Sequence, residues 1–500
     1  MSKKIIIASR KSELARIQAL LVAQRLQSEL PDADIQHVFR ASAGDQNLDQ
    51  ELSQSGSKGV FTEDFYQDLV GRQFDMVVHS WKDLPVEQRE GSQIVATLPR
   101  EDVRDVALFH PQFVPGQKKL RVLSSSPRRI HALKPFFEQF LPDPPEDIQF
   151  LSVRGNMQTR IAKMLAGEGD VLILAKAALD RIFENSLPEF DEFAKDLKDK
   201  IKNCRFMVTP IRVNPPAAAQ GALAIEIRRD DHQLESVLQK LNVSEDFQNV
   251  LWERETLASL GGGCHQKIGV HQFIDHFGRR RVLRGVTEDG KNLDLDELYG
   301  NHLDAVEGVS LGQAWPKADE RPDIQRCPIE DVQWPQGRDL LVTKSEAVQS
   351  IKGRPSDSDL LWCSGLKTWK KLAAEGFWVH GSLEGFGQHH LPSKISWWEK
   401  PLRWVKVTHD QAGDSQIEPL VSYRLNFDSI QVPTDRTFYF WSQEGLFDLA
   451  VQQGLDVNQV YHACGPGLTY QRLKQKVSHD RLFVYSDEDQ WRESLNKESK

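Results

Sequence analysis

Ile5-Ile6-Ile7-Ala8-Ser9-Arg10-Lys11-Ser12 starts as an uninterrupted apolar run and ends in a short polar turn. Leu14, Ile17, Leu20, Leu21 and Leu26 then mark one face of a helical repeat. An unbroken aliphatic run of this length is that of a strand buried on both faces, and the 3.6-residue spacing is that of an amphipathic helix. The alternation recurs through about residue 230. Phe74–Val78, Val122–Leu123, Phe150–Val153 and Val171–Leu174 are further expected strands, most of them followed by helical patterns. The fold class is therefore α/β. Ligands of such folds collect beyond the carboxyl ends of the strands, so the residues just after each strand are the ones to inspect.

Those residues share one chemistry. Ser9-Arg10-Lys11-Ser12 follows the first strand. Ser124-Ser125-Ser126-Pro127-Arg128-Arg129 follows another, with Ser126 suited to cap a helix and Pro127 to its first position. Arg154-Gly155-Asn156 and Arg160 follow a third, and a helix bearing Lys176 and Arg181 a fourth. Taken singly, each arginine reads as a solvated surface charge. Repeated at one topological position, they describe a cleft for a ligand with several carboxylates or phosphates. No Walker motif and no GxGxxG is present, which disfavours a nucleotide. Lys58, in Gly56-Ser57-Lys58-Gly59, lacks phosphate-loop spacing.

One strand end differs. Val77-Val78 leads into His79-Ser80-Trp81-Lys82-Asp83-Leu84-Pro85 and sets Asp83 among the cations, which favour its ionised form. A carboxylate there serves a reaction that passes through a cation, or one that holds and moves an amine. The bland alternative is a buried salt bridge to an arginine. Further on, Gly261-Gly262-Gly263 precedes Cys264 and His265-Gln266-Lys267-Ile268-Gly269. Three glycines suit a loop that needs unusual backbone angles, and the side chain they present is a thiol.

The 500 residues allow three or four domains, and a hydrophobic share of 39% with 27% charged residues fits a globular protein with real cores. A net charge of −9 argues against general nucleic-acid binding. Cys204, Cys264, Cys327, Cys363 and Cys464 are scattered and form no CxxC, so neither a disulfide framework nor a metal site is expected, and a reducing compartment is. The first apolar run is too short for a signal-peptide core, and no stretch approaches the roughly 18 apolar residues of a membrane span. The expectation is a cytoplasmic monomer without membrane or nucleic-acid partners. Ten of the twelve tryptophans lie beyond residue 310, which marks a module of different origin. The proline-punctuated segment Gly312–Gly337 reads as a linker.

Between Lys3 and Glu288 the motifs resemble, in order, those of the porphobilinogen deaminase (hydroxymethylbilane synthase) family: Ala8–Ala15, Gly56–Phe61, His79–Pro85, Arg154–Arg160, Pro216–Glu226 and Gly261–Gly269. The resemblance implies a two-lobed core like the type II periplasmic binding proteins and a small α+β third domain. It implies head-to-tail joining of four porphobilinogen units with loss of ammonia. It implies a dipyrromethane cofactor, built from two substrate units and held in thioether linkage by Cys264. Asp83 would be the catalytic acid/base and cation stabiliser. Lys58, Lys82, Ser125, Arg128 and Arg129 would hold the cofactor. Arg10, Ser12, Arg154, Arg160, Arg181 and Gln220 would bind substrate, with Gln220 and Gly221 at the hinge. The domains would run 1–98 with 213–240, 99–212, and 241–310, followed by a linker at 311–338. The chain departs from the pattern at Ser42-Ala43-Gly44-Asp45, where a basic residue is missing. It departs also at Trp81, Pro127 and Gly261, and in an extra stretch of about 184–210.

In 339–500, Leu360–Gly365 and Val460–Gly467 look like related strand–turn–helix units, and Thr437–Trp441 is an expected strand whose following helix Ser442 could cap. This region resembles uroporphyrinogen III synthase, a two-lobed α/β family acting on the deaminase product. Tyr423 would match the tyrosine offered to substrate there, with Ser442 beside it; a structural tyrosine is the alternative. For the whole chain the rival reading is a non-catalytic two-lobed anion or tetrapyrrole binding protein.

Overall fold

The computed structural model describes residues 4–41, 62–87, 89–262, 266–275, 277–299, 309–356, 358–387, 390–412 and 417–496. Lys58, Cys264 and residues 42–45 lie outside the described residues. In chain order the first sheet takes β1 (Lys4–Arg10), β2 (Asp34–Arg40), β3 (Met76–Ser80) and β4 (Ser92–Ala96). The second takes β5 (Asp105–Phe109), β6 (Lys119–Leu123), β7 (Asp147–Leu151), β8 (Val171–Ala175) and β9 (Arg205–Val208), and β10 (Leu223–Arg228) returns to the first.

The two sheets share one design. Their orders are β2-β1-β3-β10-β4 and β7-β6-β8-β5-β9. Each sets three parallel strands beside an antiparallel one, β10 in the first and β5 in the second. The chain crosses between them at 97–104 and 209–222, and the crossings bond to each other. Glu101 N donates to Gly221 O at 3.2 Å, and Gln220 Nε2 to Val103 O at 2.7 Å. This is a two-lobed α/β core with a paired hinge. The expected strand Phe150–Val153 ends early because the Val153 N–H donates to Ser125 Oγ at 2.9 Å instead of to a ladder.

The helix Ser244–Ser259 packs on a third, antiparallel sheet of β11 (Lys267–Asp275), β12 (Gly278–Val286) and β13 (Asn292–Tyr299). Next come β14 (Ala314–Trp315), β15 (Gln325–Pro328), β16 (Asp339–Val342), β17 (Leu361–Cys363), β18 (Gly381–Ser382), β19 (Trp404–His409), β20 (Glu418–Asn426), β21 (Phe438–Trp441), β22 (Tyr461–Cys464) and β23 (Leu482–Val484). They form two sheets, β15-β20-β19-β16-β17-β18 and the parallel β14-β21-β22-β23. The C-terminal module is thus also two-lobed α/β. One expectation is corrected here: 311–338 is not a linker. Its β14 pairs with β21 and its β15 with β20, so it crosses between the two C-terminal lobes.

A continuous apolar core joins this module to the second lobe. Trp369 lies edge-on to Phe136 and Phe140, with centroids 5.6 and 5.5 Å away, and its Nε1 donates to Phe140 O at 3.0 Å. The extra stretch supplies the helix Asp191–Ile201 and β9. Phe206 on β9 meets Trp397 at 5.3 Å, and Val208 N donates to His380 O at 2.8 Å, so β18 covers this sheet edge. A large apolar junction of this kind holds two modules in one arrangement.

Candidate active site

Strand β3 runs into a single 3-10 turn, Trp81–Asp83. Trp81 is buried against Phe247, with centroids 5.1 Å apart, and this anchors the turn so that Asp83 is exposed beside Lys82. Burial pulls the Lys82 pKa down to about 8; Asp83 opposes this, while Arg129 and Arg128 add to it. Lys82 Nζ also donates to Gln220 Oε1 at 3.3 Å.

Behind Lys82 stands a carboxylate that sequence reasoning missed. Asp105, the first residue of β5, is buried. It accepts from Arg128 NH2 at 2.8 Å, Arg129 Nε and NH2 at 3.0 and 2.7 Å, Gln220 Nε2 at 2.9 Å and Asn214 Nδ2 at 3.0 Å. Burial alone would raise its pKa, but Arg129 and Arg128 hold it far below the usual carboxylate range. Arg128 also donates to Asn214 Oδ1 at 2.8 Å and Pro215 O at 2.6 Å, so its role is to hold the floor of the cluster. Ser126 caps the helix Pro127–Phe140 with Pro127 first, as expected, and thereby aims both arginines at Asp105. Ser125 Oγ bonds Ser152 Oγ at 2.9 Å and joins the ends of β6 and β7.

Arg160 brings in the remaining strand ends. Its Nε donates to Gly155 O at 2.8 Å, from a helix (Met157–Leu165) capped by Asn156. Burial and the charge of Arg129 lower its pKa, Asp83 opposes, and Arg10 lowers it further. Arg10, Asp83, Arg129 and Arg160 are therefore electrostatic neighbours at the ends of β1, β3, β6 and β7, drawn from both lobes. Arg154 is half-buried in the turn after β7. Ser12 precedes the helix Glu13–Glu29 without a side-chain cap bond, so capping does not engage its hydroxyl. Arg181 lies apart from this group. It is buried, donates to Gly221 O at the hinge, and is pulled down to about 10 by burial.

The third domain is latched to the same turn. Arg254, on the helix Ser244–Ser259, donates to Trp81 O at 3.4 Å, Leu84 O at 3.3 Å and Pro85 O. Its neighbour Glu253 is fully buried and accepts from both Arg100 NH groups at 2.8 Å, Ala219 N at 2.8 Å and Gln272 N at 3.1 Å, and it bonds His271 Nδ1 at 2.8 Å. Burial pushes its pKa up, but Arg100 and His271 bring it to about 2. Gly261 and Gly262 end this helix at φ +94° and +39°, and a Cβ at Gly262 would stand 2.9 Å from Val86 Cγ2. The loop toward Cys264 therefore sets out from a point packed against the Asp83 turn. The arrangement offers a cationic cleft with one exposed carboxylate, and Gly261 and Gly262 in left-handed backbone beside it.

The model of the family "Porphobilinogen deaminase, dipyromethane cofactor binding domain" matches residues 5–236. A porphobilinogen deaminase of Nostoc sp. is 35% identical over 321 residues, covering 62% of this chain and 90% of that protein. The chain belongs to the porphobilinogen deaminase family. Another relative of that name, from Chlorobium chlorochromatii, is 33% identical over 319 residues, covering 63% and 94%. Among solved structures, the periplasmic VFT2 domain of BvgS from Bordetella pertussis matches 52% of this chain and 92% of that one, at 11% identity and a TM-score of 0.26. The fold class rests on the sheet topology above. A family cofactor bearing several carboxylates fits the donors present: Lys82, Arg129, Arg160 and Arg10 gather in one cleft, and their charge exceeds that of Asp83.

The C-terminal module has its own cleft, a cavity of about 220 Å³ between its lobes, lined by Lys344, Lys406, His409, Tyr423, Glu444 and Arg472 among others. Tyr423 is 3% exposed, and burial raises its pKa. Burial pulls Lys406 down to about 8, with Arg472 adding to it. The expected role of Ser442 is corrected: it is exposed, does not line the cleft, and Gln443 is the residue before the helix Glu444–Gln452. Among the described residues no three His, Cys, Asp or Glu side chains form a metal-binding group.

Proposed function

We propose that this chain is a hydroxymethylbilane synthase, joining four porphobilinogen units head to tail with release of ammonia on a dipyrromethane carried by Cys264. The observation that carries this reading is the position of Asp83. It is one exposed carboxylate among Lys82, Arg160 and their neighbours, where strand ends of both lobes converge. Loss of ammonia from porphobilinogen leaves an azafulvene, cationic when protonated. Asp83 holds the proton that accompanies the departing amine and stabilises that cation. Arg10, Ser12, Arg154 and Arg160 bind the acetate and propionate groups of the incoming unit. Lys82, Arg129 and Ser125 face the cofactor, and Lys58, outside the described residues, is assigned to it by the family resemblance. Bound there, dipyrromethane supplies the pyrrole carbon that accepts the next unit. Arg128, Arg181 and Gln220 act one step back, Arg128 and Gln220 through Asp105 and Arg181 through the hinge.

The proposed domains are 1–98 with 213–240, 99–212, and 241–310, followed by a C-terminal module that begins at 311. The reaction is placed in the cytoplasm, in keeping with Cys204, Cys327, Cys363 and Cys464, which are all free thiols. A monomer is proposed. Among the described residues no helix is long and apolar enough to cross a membrane. Asp83→Ala is expected to lower kcat by about 10³-fold or more, within the range of general acid–base and electrostatic contributions combined, without lowering Tm. Near-normal turnover would refute the role of Asp83.

A second reading concerns the C-terminal module, and the cleft holding Tyr423, Lys344, Lys406 and Arg472 supports it. These cations suit a polycarboxylate, and the module is proposed to cyclise the linear product to uroporphyrinogen III. Isomer analysis of the porphyrinogen formed from porphobilinogen tests this. Type III product supports it, and type I product alone contradicts it.

A further inference from the structure

Glu384 belongs to the C-terminal module, yet its carboxylate is directed at the connection between the two lobes of the deaminase core. It is 2% exposed and takes a left-handed backbone, φ +55°, uncommon for a residue other than glycine. Its carboxylate accepts the backbone N–H groups of Ile211 at 2.9 Å and Arg212 at 2.8 Å. In return Arg212 NH1 donates to Glu384 O at 3.2 Å. Arg212 also pairs with Asp296 of β13 and, at 3.5 Å, with Asp487 near the end of the chain. Arg104, on the other crossing, is a further electrostatic neighbour of Glu384. The latch therefore holds one crossing by hydrogen bonds and lies within the field of a charge on the other.

The other end of the same short segment forms part of the anion cluster. Asn214 accepts from Arg128 NH1 at 2.8 Å and donates to Asp105 at 3.0 Å. Asn214 N donates to Pro210 O at 2.8 Å, and Thr209 N to Asp105 O at 2.8 Å, so the segment is a closed turn. Ile211 and Asn214 can be no more than about 11 Å apart along the chain. A change in how Ile211 and Arg212 are held is thus transmitted to Asp105, Arg128 and Arg129 through three residues.

We propose that Glu384 is a positioning residue for the deaminase reaction: the C-terminal module fixes turn 209–214, and through it the arginine cluster behind Lys82. This inference rests on the deaminase reading above. Removing the carboxylate leaves one buried and one part-buried N–H group without acceptors, and the turn relaxes toward other partners. The arginines then hold the cofactor end of the chain less accurately, while the porphobilinogen carboxylates still meet Arg10, Arg154 and Arg160. The effect falls on kcat and not on KM.

The test uses the full chain carrying its cofactor, with E384A, E384Q and, as control, L455A. Leu455 is buried in the same module, does not line its cleft and makes its backbone hydrogen bond to Ala450 within that module. E384A is expected to lower kcat about tenfold with KM within about twofold, and E384Q, which keeps one acceptor, to lower kcat about threefold. L455A is expected to lower Tm and leave kcat within about twofold. Wild-type kinetics in E384A, or a kcat loss in L455A equal to that in E384A, would overturn the proposal. A parent chain that releases no ammonia and gains no pyrrole units would instead defeat the deaminase reading beneath it.

Discussion

The two clefts of this molecule both present cations to a solvent-accessible space, and they are built differently. In the first, the arginines rest on Asp105, a buried carboxylate that takes five donors from four side chains. Glu253 does the same for the hinge and the third domain. In the second, Arg472 and Lys476 meet Glu444 near the surface, and among the described residues Lys406 has no carboxylate as an electrostatic neighbour. A charge cluster supported from beneath is rigid, and its geometry is costly to change. A cluster at the rim can rearrange around its ligand. The difference suits the two proposed functions, in which the first site repeats the same chemistry four times on a lengthening chain and the second acts on its product once.

Removing the supporting carboxylate in each cleft should have very unequal effects. Asp105→Asn leaves Arg128 and Arg129 buried with their charges uncompensated. It is expected to cost about 3–5 kcal/mol in denaturant unfolding and to abolish deaminase turnover. Glu444→Gln, the counterpart in the second cleft, is expected to cost about 1 kcal/mol or less. Equal costs would show that the two clefts are not supported differently.

A smaller effect separates the two lysines. Lys82 and Lys406 are both pulled down to about 8 by burial, the first opposed by Asp83 and the second pushed further by Arg472. A depressed lysine pKa means the charged form is lost as pH rises through about 8, so affinity for anionic substrate falls there. The deamination rate and the formation of type III isomer should both decline above that pH, by a few-fold per pH unit at most. Arginine keeps its charge throughout, so Lys82→Arg should flatten the first decline alone and Lys406→Arg the second alone. If either variant flattens both, the sites are coupled more tightly than two separate clefts allow.

How much of this was legible in the sequence depends on how local each feature is. The turn at His79–Pro85 is contiguous, so strand, turn and acid could be read together. The cap at Ser126 with Pro127 was equally local. Asp105 could not be found, because Arg128, Asn214 and Gln220 reach it from 23 to 115 residues away. Arg254 was hidden for the same reason: it acts on backbone carbonyls about 170 positions earlier. Arg181 follows β8 and so reads from the sequence as part of the anion site. Its helix begins at once at Lys176, which carries Arg181 more than a turn away from the strand end and onto the hinge. The prolines of 311–338 masked two strands too short to show any periodicity, one of them two residues long. Ser442 has the chemistry of a cap, yet the extended backbone before the helix belongs to Gln443. The second module's cleft is the least legible, since Lys344 comes from a loop, Lys406 and Tyr423 from two strands and Arg472 from a helix, and they share no motif.

The proposed function requires a covalent primer on Cys264 that is used at Asp83. Intact-mass measurement of the chain, produced where porphobilinogen is available, tests it most directly. The mass should exceed that of the polypeptide by two linked pyrrole units, and Cys264→Ala should return it to the polypeptide mass. An unmodified parent chain, or an increment that survives in Cys264→Ala, would rule out a primer carried by Cys264.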